Sequence, residues 1–401
     1  MKVLMIGPAS ANSSNYGMGV ATAQIAQFLA SNCELTIVSP TQASEMESSV
    51  SKSTLQVQIT EGLTDQKQVD AHAVHIQLQS ELPAYIYHDE QIKAETTEKG
   101  SIKTESIQSQ LTTFSKNVVV AVSELAFDVV YAHDWLSIDA AIDLKNKSGK
   151  PFILHIHSLD YDRTGKNSRS WIYELEKKGM EQADTVIAVS NYHAEIMTLH
   201  YAIPTKKIKV VPLALSKVKD IPYTSPFSEK IVLFSGRLSH QKGVFKFIDI
   251  AEALLETESD LRFIVAGAGE LSLEVVSRVQ EKGLTAYFNF TGRISQEELH
   301  ALMKHCEIFI MPSVSEPFGL VAIEAAARSL PIVMTKNAGA LQLLKSAFVP
   351  KEETVAAYVK QIKMVLTNKE KVAEAVKRNQ IAVKGRDWQH VGNEILQILN
   401  K

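Results

Sequence analysis

The sequence predicts an α/β chain of two doubly wound halves. Three observations carry this. A length of 401 residues exceeds the ~250–300 that a single core usually spans. Short apolar runs alternate with stretches of helical periodicity, in two separate series. Between the series, residues 212–227 hold Pro212, Pro222 and Pro226 and little periodicity, as a linker would.

The first series opens with Val3–Ile6, an apolar run too short for a signal peptide or a membrane span and suited to a buried strand. A small polar loop, Gly7 to Gly19, leads into a helix from about Val20 to Ala30, and Leu35–Val38 reads as the next strand. This is a strand–helix–strand unit of a parallel sheet. Leu55, Val57 and Ile59 alternate, as do Val74, Ile76 and Leu78, so both segments read as half-buried strands. The Ser-, Thr-, Gln- and Glu-rich remainder of 41–100 reads as exposed loop. Ile107, Leu111, Phe114, Val118, Val122 and Leu125 have helical spacing, and strands follow at Val129–Tyr131, Phe152–Ile156 and Val186–Val189. The second series places strands at Ile231–Phe234, Arg262–Ala266, Phe288–Phe290, Ile308–Met311 and Pro331–Met334. The expected domains are therefore 1–215 and 216–384. Trp388 to Leu399 is amphipathic, and a last helix over about 385–401 is expected to cross back onto the first half.

Hydrophobic content of 45% with 22% charged residues is that of a soluble globular chain, and a net charge of −3 argues against general affinity for nucleic acid. Cys33 and Cys306 form neither a disulfide framework nor a zinc pattern, which fits a reducing, cytoplasmic location. No integral membrane segment is expected, while contact with a membrane surface stays open.

Chemistry-bearing residues gather at the ends of the expected strands, where α/β sheets bind ligands. After Ile308–Met311 comes Glu316-Pro317-Phe318-Gly319-Leu320, with Glu324 eight positions beyond Glu316 in an Ala-rich helical stretch. One carboxylate then sits on the loop and the other about a turn inside the helix, and the helix start offers free N–H groups to an anion or a sugar edge. An acidic helix start without function is the plainer alternative. After Ile231–Phe234 come Gly236-Arg237-Leu238 and Gln241-Lys242-Gly243, in which an Arg fork and a Lys point charge can converge on a diphosphate. Such a pair stabilises a departing nucleoside diphosphate; two solvated cations are the alternative. Gly267-Ala268-Gly269 follows the next strand as a weak glycine signal.

In the first half, strand alternation puts His155 and His157 on one face, a possible metal pair, but no third ligand has compelling spacing and no metal is expected. His133-Asp134-Trp135 ends another strand. Its Trp could stack on a sugar or could anchor the helix that follows. Gly17 and Gly19 precede a helix and allow close approach of a phosphate, or simply form a tight turn. A nicotinamide-dependent oxidoreductase would need G-x-G-x-x-G after the first strand and an acid ending the second. Here the first leads into Gly7-Pro8 and the second ends at Ser39-Pro40.

Together these runs resemble the retaining glycosyltransferases of family 4, most closely their glycogen-synthase-like branch. The resemblance is strongest from Phe127 to Gly339, where the H-D-W-L, H-x-D-R-T-G, G-R-L-x-x-x-K-G and S-E-P-F-G runs fall in order. It implies a GT-B fold, two Rossmann-like domains facing a central cleft, and metal-independent, front-face transfer of a sugar, glucose in the first instance. The donor would be a nucleotide sugar such as ADP-glucose or UDP-glucose, the acceptor a carbohydrate or other hydroxyl, with no cofactor. It also implies roles. His157 would position the sugar, Arg237 and Lys242 clamp the diphosphate, Glu316 bind the sugar hydroxyls and Glu324 the ribose. Gly17, Gly19, Gly267, Gly269, Phe318, Gly319 and Leu320 would lie along the donor, and His133, Asp134, Trp135, Asp160 and Arg163 on the acceptor side. Asp160-Tyr161-Asp162, which could pass for a metal-binding D-x-D, reads in this setting as structural or acceptor-side. The family's G-G-L-G is Tyr16-Gly17-Met18-Gly19 here, and its P-N-G-V-D is Pro212-Leu213-Ala214-Leu215-Ser216. A non-catalytic nucleotide- or sugar-binding relative is the alternative these departures leave.

Overall fold

The structure, a computed structural model, describes residues 1–7, 17–41, 57–61, 73–79, 107–165 and 169–401. The expected loops of 42–56 and 80–100, including Leu55, and the stretch from Pro8 to Tyr16 before the first helix lie outside the described residues. The chain divides into two compact units. One comprises residues 1–189, 194–212 and 388–401, and the other 190–193 and 213–387.

The first unit holds strands β1 (Lys2–Ile6), β2 (Glu34–Thr41), β3 (Val57–Glu61), β4 (Ala73–Gln79), β5 (Val129–His133), β6 (Phe152–Ile156), β7 (Thr185–Ala188) and β8 (Ile208–Val210). Their order in the sheet is β3-β4-β2-β1-β5-β6-β7-β8, all parallel except β3 against β4. Helices α1 (Gly17–Ala30), α2 (Ile107–Ala121), α3 (Ile138–Ser148), α4 (Asp160–Thr164), α5 (Trp171–Gln182) and α6 (Asn191–His200) connect them. Apolar runs such as Leu4-Met5-Ile6 and Val129-Val130-Tyr131 are buried, as strands covered on both faces must be. The helix expected to reach Leu125 ends at Ala121, and Leu125 is exposed.

In the second unit, β9 (Lys230–Ser235), β10 (Leu261–Ala266), β11 (Phe288–Gly292), β12 (Ile308–Met311) and β13 (Ile332–Met334) form an all-parallel sheet of order β11-β10-β9-β12-β13. Helices α7 (Val244–Leu255), α8 (Ser272–Glu281), α9 (Gln296–Met303), α10 (Leu320–Ala327), α11 (Val355–Thr367) and α12 (Lys369–Lys384) complete it. Phe234, Phe247, Phe263 and Phe288 interlock in its core, with Phe263 and Phe288 stacked at 5.2 Å.

Both sheets reverse their winding at one place, β1/β5 in the first unit and β9/β12 in the second. The loops leaving the carboxyl ends of such strands splay apart and open a crevice. His133 ends β5 and Asp134 follows it, Arg237 and Lys242 follow β9, and Glu316 follows β12. Residues 190–193 leave the first unit because their polar groups bond in the second. The Ser190 hydroxyl donates to the Pro317 carbonyl at 2.6 Å, and the Asn191 N–H donates to Gln342 Oε1 at 3.0 Å.

The last helix, α13 (Trp388–Leu399), belongs to the first unit and lies against α1. A Cβ at Gly392 would stand 2.2 Å from Cγ of Phe28. Gly392→Ala sets a helix-propensity gain of up to about 1 kcal/mol against an overpacking cost of about 1–3 kcal/mol. The second term is the larger, so the substitution should lower the urea midpoint; a raised midpoint would show that the two helices do not pack at this contact.

Candidate functional site

In the second unit, the loop after β9 lies directly on the loop after β10. Leu238 N–H donates to the Ala268 carbonyl at 3.2 Å, and Leu271 N–H to the Leu238 carbonyl at 3.1 Å. A Cβ at Gly267 would come within 1.9 Å of the Gly236 carbonyl oxygen, and one at Gly269 within 2.4 Å of that of Leu238. The glycine pair therefore lets two backbones touch and holds the Arg237 loop in place. Arg237 Nη2 donates to Gln241 Oε1 at 3.3 Å, and Gln241 Nε2 donates to the Ser315 carbonyl at 3.2 Å.

Lys242 is not a solvated surface cation. Its Nζ donates to both oxygens of Glu316, at 2.9 and 2.7 Å, and Ser313 Oγ donates to Oε2 at 3.2 Å. Glu316 is buried, so this pairing is what allows its charge to remain there. The loop carrying it is zipped to the chain beyond β13. Glu316 N–H donates to the Asn337 carbonyl at 2.9 Å, Gly339 N–H to that of Glu316 at 3.0 Å, and Ala340 N–H to that of Phe318 at 2.6 Å. Phe318 is buried as a whole, with its carbonyl taken up by Ala340. Gly319 turns the chain into α10 at φ 101°, a left-handed value that favours glycine, and no side chain caps the helix that begins at Leu320. The first N–H groups of α10 are thus left without a side-chain cap.

Glu324 sits one turn into α10 and is in a different state. Its side chain is 9% exposed, and no hydrogen-bond donor among the described residues reaches it. The nearest cationic or imidazole group is Nε2 of His300, at 3.8 Å. A carboxylate so enclosed and without donors is costly, and a polyhydroxylated ligand would relieve it.

In the first unit, His133 and His155 lie side by side on β5 and β6, with His157 just beyond. Burial, reinforced by the charge that His157 would carry, holds the His133 imidazole well below the ordinary histidine range. Nitrogens of all three side chains come within 4.8 Å of one another, so β5 supplies the third histidine that spacing along β6 did not. The His157 ring stacks on the other two, at interplanar angles of 13° and 21°, while those of His133 and His155 are tilted by 32°. One nitrogen of each ring bonds within the protein: His133 Nδ1 with His157 Nε2 at 3.0 Å, and His155 Nδ1 with the Tyr131 hydroxyl at 2.7 Å. Asp134 adopts φ 54° with ψ −176°, a sparsely populated conformation that costs an ordinary residue ~1–3 kcal/mol. Its carboxylate there accepts the His157 N–H at 2.7 Å and the Ser158 N–H at 3.4 Å. His133 and Asp134 are thus the scaffold of His157.

Trp135 is buried edge-on against Trp171 at 5.8 Å, as an anchor for α3. Asp160 accepts from Ser170 Oγ at 2.8 Å, and Arg163 pairs with Glu176 at 3.2 Å. Glu176 is wholly buried, and burial pushes its carboxyl up to about 8 against the opposing pull of Arg163, the Asp160 N–H and the Tyr201 hydroxyl. Sequence reasoning passed over Glu176, although it falls on the apolar stripe of α5 with Ile172, Leu175 and Met180. Gly17 and Gly19 lie in the first turn of α1. No described helix is long and apolar enough to cross a membrane.

Residues 16–216, half of the chain, match the family described as Glycosyltransferase Family 4, and residues 219–383 match Glycosyl transferases group 1. The chain belongs to glycosyltransferase family 4. Within the family, it is 28% identical over 235 residues to an uncharacterized glycosyltransferase of Methanocaldococcus jannaschii, covering 55% of this chain and 60% of that one. It is 30% identical over 224 residues to the glycogen synthase of Mycobacterium tuberculosis, covering 53% of each. The chain thus spans little more than half the length of these curated relatives. Among solved structures, the sucrose-phosphate synthase of Thermosynechococcus elongatus matches at TM-score 0.76 and 18% identity, over 100% of this chain and 98% of that one. The trehalose-6-phosphate protein of E. coli bound with UDP-2-fluoro glucose matches at TM-score 0.75 and 10% identity, over 100% and 99%. Likeness at these identities shows the fold, and the GT-B expectation is borne out.

The stack in this family 4 chain has a consequence for pH. His133 is held below its unfolded value of 6.5 by burial and by His157. Its contribution to stability is therefore complete above pH 6.5 and is lost as pH falls below it, at up to about 1.4 kcal/mol per pH unit. His133→Asn keeps a polar partner for His157 but does not titrate. Urea unfolding at pH 7, 6 and 5 should give a shallower loss in this variant than in the parent, and parallel slopes would show that His133 is not held neutral.

Proposed function

We propose that this chain is a retaining glycosyltransferase that moves a hexosyl group, glucose in the first instance, from a nucleoside diphosphate sugar to a hydroxyl acceptor without a metal. The observation that carries the reading is the contrast between two buried carboxylates around one helix start. Glu316 is engaged by Lys242, and Glu324 lies enclosed without a donor among the described residues. A nucleotide sugar fits this arrangement group by group. Its vicinal ribose hydroxyls supply the donors that Glu324 lacks, and its diphosphate suits Arg237, Lys242 and the uncapped N–H groups of α10. Its sugar hydroxyls suit Glu316. Charge gathers on the leaving diphosphate as the sugar–oxygen bond breaks, so the cations and helix start favour the transition state over the bound substrate. In front-face transfer the acceptor hydroxyl enters on the side the diphosphate leaves, and its proton passes to the departing phosphate oxygen. The glycogen synthase relative and the E. coli protein bound with UDP-2-fluoro glucose support UDP-glucose or ADP-glucose as the first donors to test.

Lys242→Ala removes a phosphate contact worth about 1.5–3 kcal/mol, and turnover should fall roughly tenfold to a hundredfold. The same change leaves Glu316 without its cation, so stability should fall as well, by about 1–3 kcal/mol. Steady-state donor hydrolysis and urea unfolding read the two effects; an unchanged rate would remove Lys242 from the clamp.

The two glutamates should separate. Glu316→Gln should keep nucleoside diphosphate affinity and lose most donor hydrolysis and transfer, because the amide places a neutral donor where the sugar hydroxyls and the developing positive sugar carbon need an anion. Glu324→Gln should weaken nucleotide binding itself. Calorimetric titration with UDP and ADP, beside hydrolysis assays of both sugar nucleotides, distinguishes them, and identical behaviour would refute the division of roles. Binding without turnover in the parent chain would favour a non-catalytic relative.

A further inference from the structure

His300 on α9 is an isolated histidine in an amphipathic helix, and sequence alone attaches no role to it. In the structure it is 2% exposed and stands between Arg328 and Glu324, which lie four positions apart on and just beyond α10. Arg328 directs its Nε and Nη2 at Nδ1 of His300, at 3.2 and 2.9 Å. Arg328 is itself fixed by an ion pair from Nη1 to Asp220, which Lys304 holds at 3.0 Å on its other oxygen. A guanidinium has only N–H donors and no lone pair to offer. Nδ1 of His300 must therefore accept, and the ring proton resides on Nε2. That Nε2–H is buried and has no hydrogen-bond partner among the described residues. What it faces is Oε2 of Glu324 at 3.8 Å, beyond hydrogen-bond reach.

A buried donor with no partner among the described residues and a carboxylate oxygen just out of its reach thus face each other across a gap that a carboxylate movement of under about 1 Å would close. We propose that His300 is a positioning residue for nucleotide recognition: it captures Oε2 of Glu324 and leaves Oε1 directed at the vicinal hydroxyls of a ribose. This rests on the reading of Glu324 as the ribose-binding group. Arg328 and Asp220 serve the same end by holding the ring in the one tautomer that can donate to Glu324. Selectivity follows, because the arrangement favours a ligand whose paired hydroxyls draw the carboxylate into place, and it is indifferent to the diphosphate alone.

The test is calorimetric titration of the full chain with UDP, with 2′,3′-dideoxy-UDP and with inorganic pyrophosphate, and with the corresponding adenosine compounds if ADP binds more tightly. The variants are His300→Phe, His300→Gln and Glu324→Gln. His300→Phe keeps the ring shape without the donor and should weaken the ribonucleotide about tenfold, leaving the dideoxynucleotide and pyrophosphate unchanged. His300→Gln places an amide N–H where Nε2 was and should restore most of the loss, which a purely structural role for the ring would not allow. Should the Phe variant not fold, His300→Asn replaces it, since Asn can accept from Arg328 but cannot reach Glu324. Equal effects of His300→Phe on all three ligands, or none on any, would overturn the inference while Glu324→Gln still discriminates ribose from dideoxyribose. If Glu324→Gln weakens both nucleotides alike, or no nucleotide binds the parent chain, the ribose reading of Glu324 fails first and the inference falls with it.

Discussion

The pairing of Lys242 with Glu316 is the interaction on which the second unit's geometry turns. A carboxylate as enclosed as Glu316 is tolerated only with a cation and further donors close by. Supplying them requires the loops after β9 and β12 to meet where the sheet reverses its winding. That meeting explains several residues otherwise unremarked. Gly243 carries no Cβ because one would stand 2.2 Å from the Pro312 carbonyl oxygen, and Gly339 none because one would stand 2.1 Å from that of Pro317. Ser313 donates to the carboxylate, while Ser190 and the strand-like bridge between Glu316 and Ala338 hold its backbone. Lys242, Glu316 and the start of α10 are therefore set by neighbours that are rigid before any ligand arrives, the condition under which electrostatic groups act without reorganising.

The first unit solves a related problem without a cation. Three imidazoles gather at the ends of β5 and β6, and burial favours the neutral form of His133. Neutral rings can exchange hydrogen bonds, as His133 and His157 do, whereas protonated rings in contact would repel. Asp134 accepts a strained backbone conformation and in return fixes the main chain of His157. Strain of this kind persists where the surroundings over-determine it and gathers at functional positions. The Arg163–Glu176–Tyr201 network braces the short helix after β6 in the same unit.

What was legible in the sequence follows from the range of the forces involved. The two strand–helix series, and the placing of Arg237, Lys242, Glu316 and Glu324 just past strand ends, depend on local periodicity and could be read directly. The ion pair between Lys242 and Glu316 could not, because it joins residues far apart in sequence, and each looks alone like an ordinary surface charge. Gly267 and Gly269 read as a ligand loop, while their backbones make room for Gly236 and Leu238. Trp135 was open between sugar stacking and packing, and Trp171 places it in the core. The crossing of Ser190 to His193 into the second unit has no local signature, since it depends on acceptors at Pro317 and Gln342. His300 was invisible for the same reason. Its meaning comes from Arg328, whose chemistry fixes the ring proton. Glu176 was within reach, as a charge standing on an apolar stripe.

The central claim is that the loops after β9 and β12 of the second unit form the nucleotide site. Amide hydrogen exchange with and without saturating UDP or ADP tests it most directly, because it locates binding without presuming a donor sugar or an acceptor. The account predicts slowed exchange in residues 236–243 and 316–324, with the rest of the second unit's sheet little changed. Protection confined to residues 1–40, with none at these loops, would contradict it.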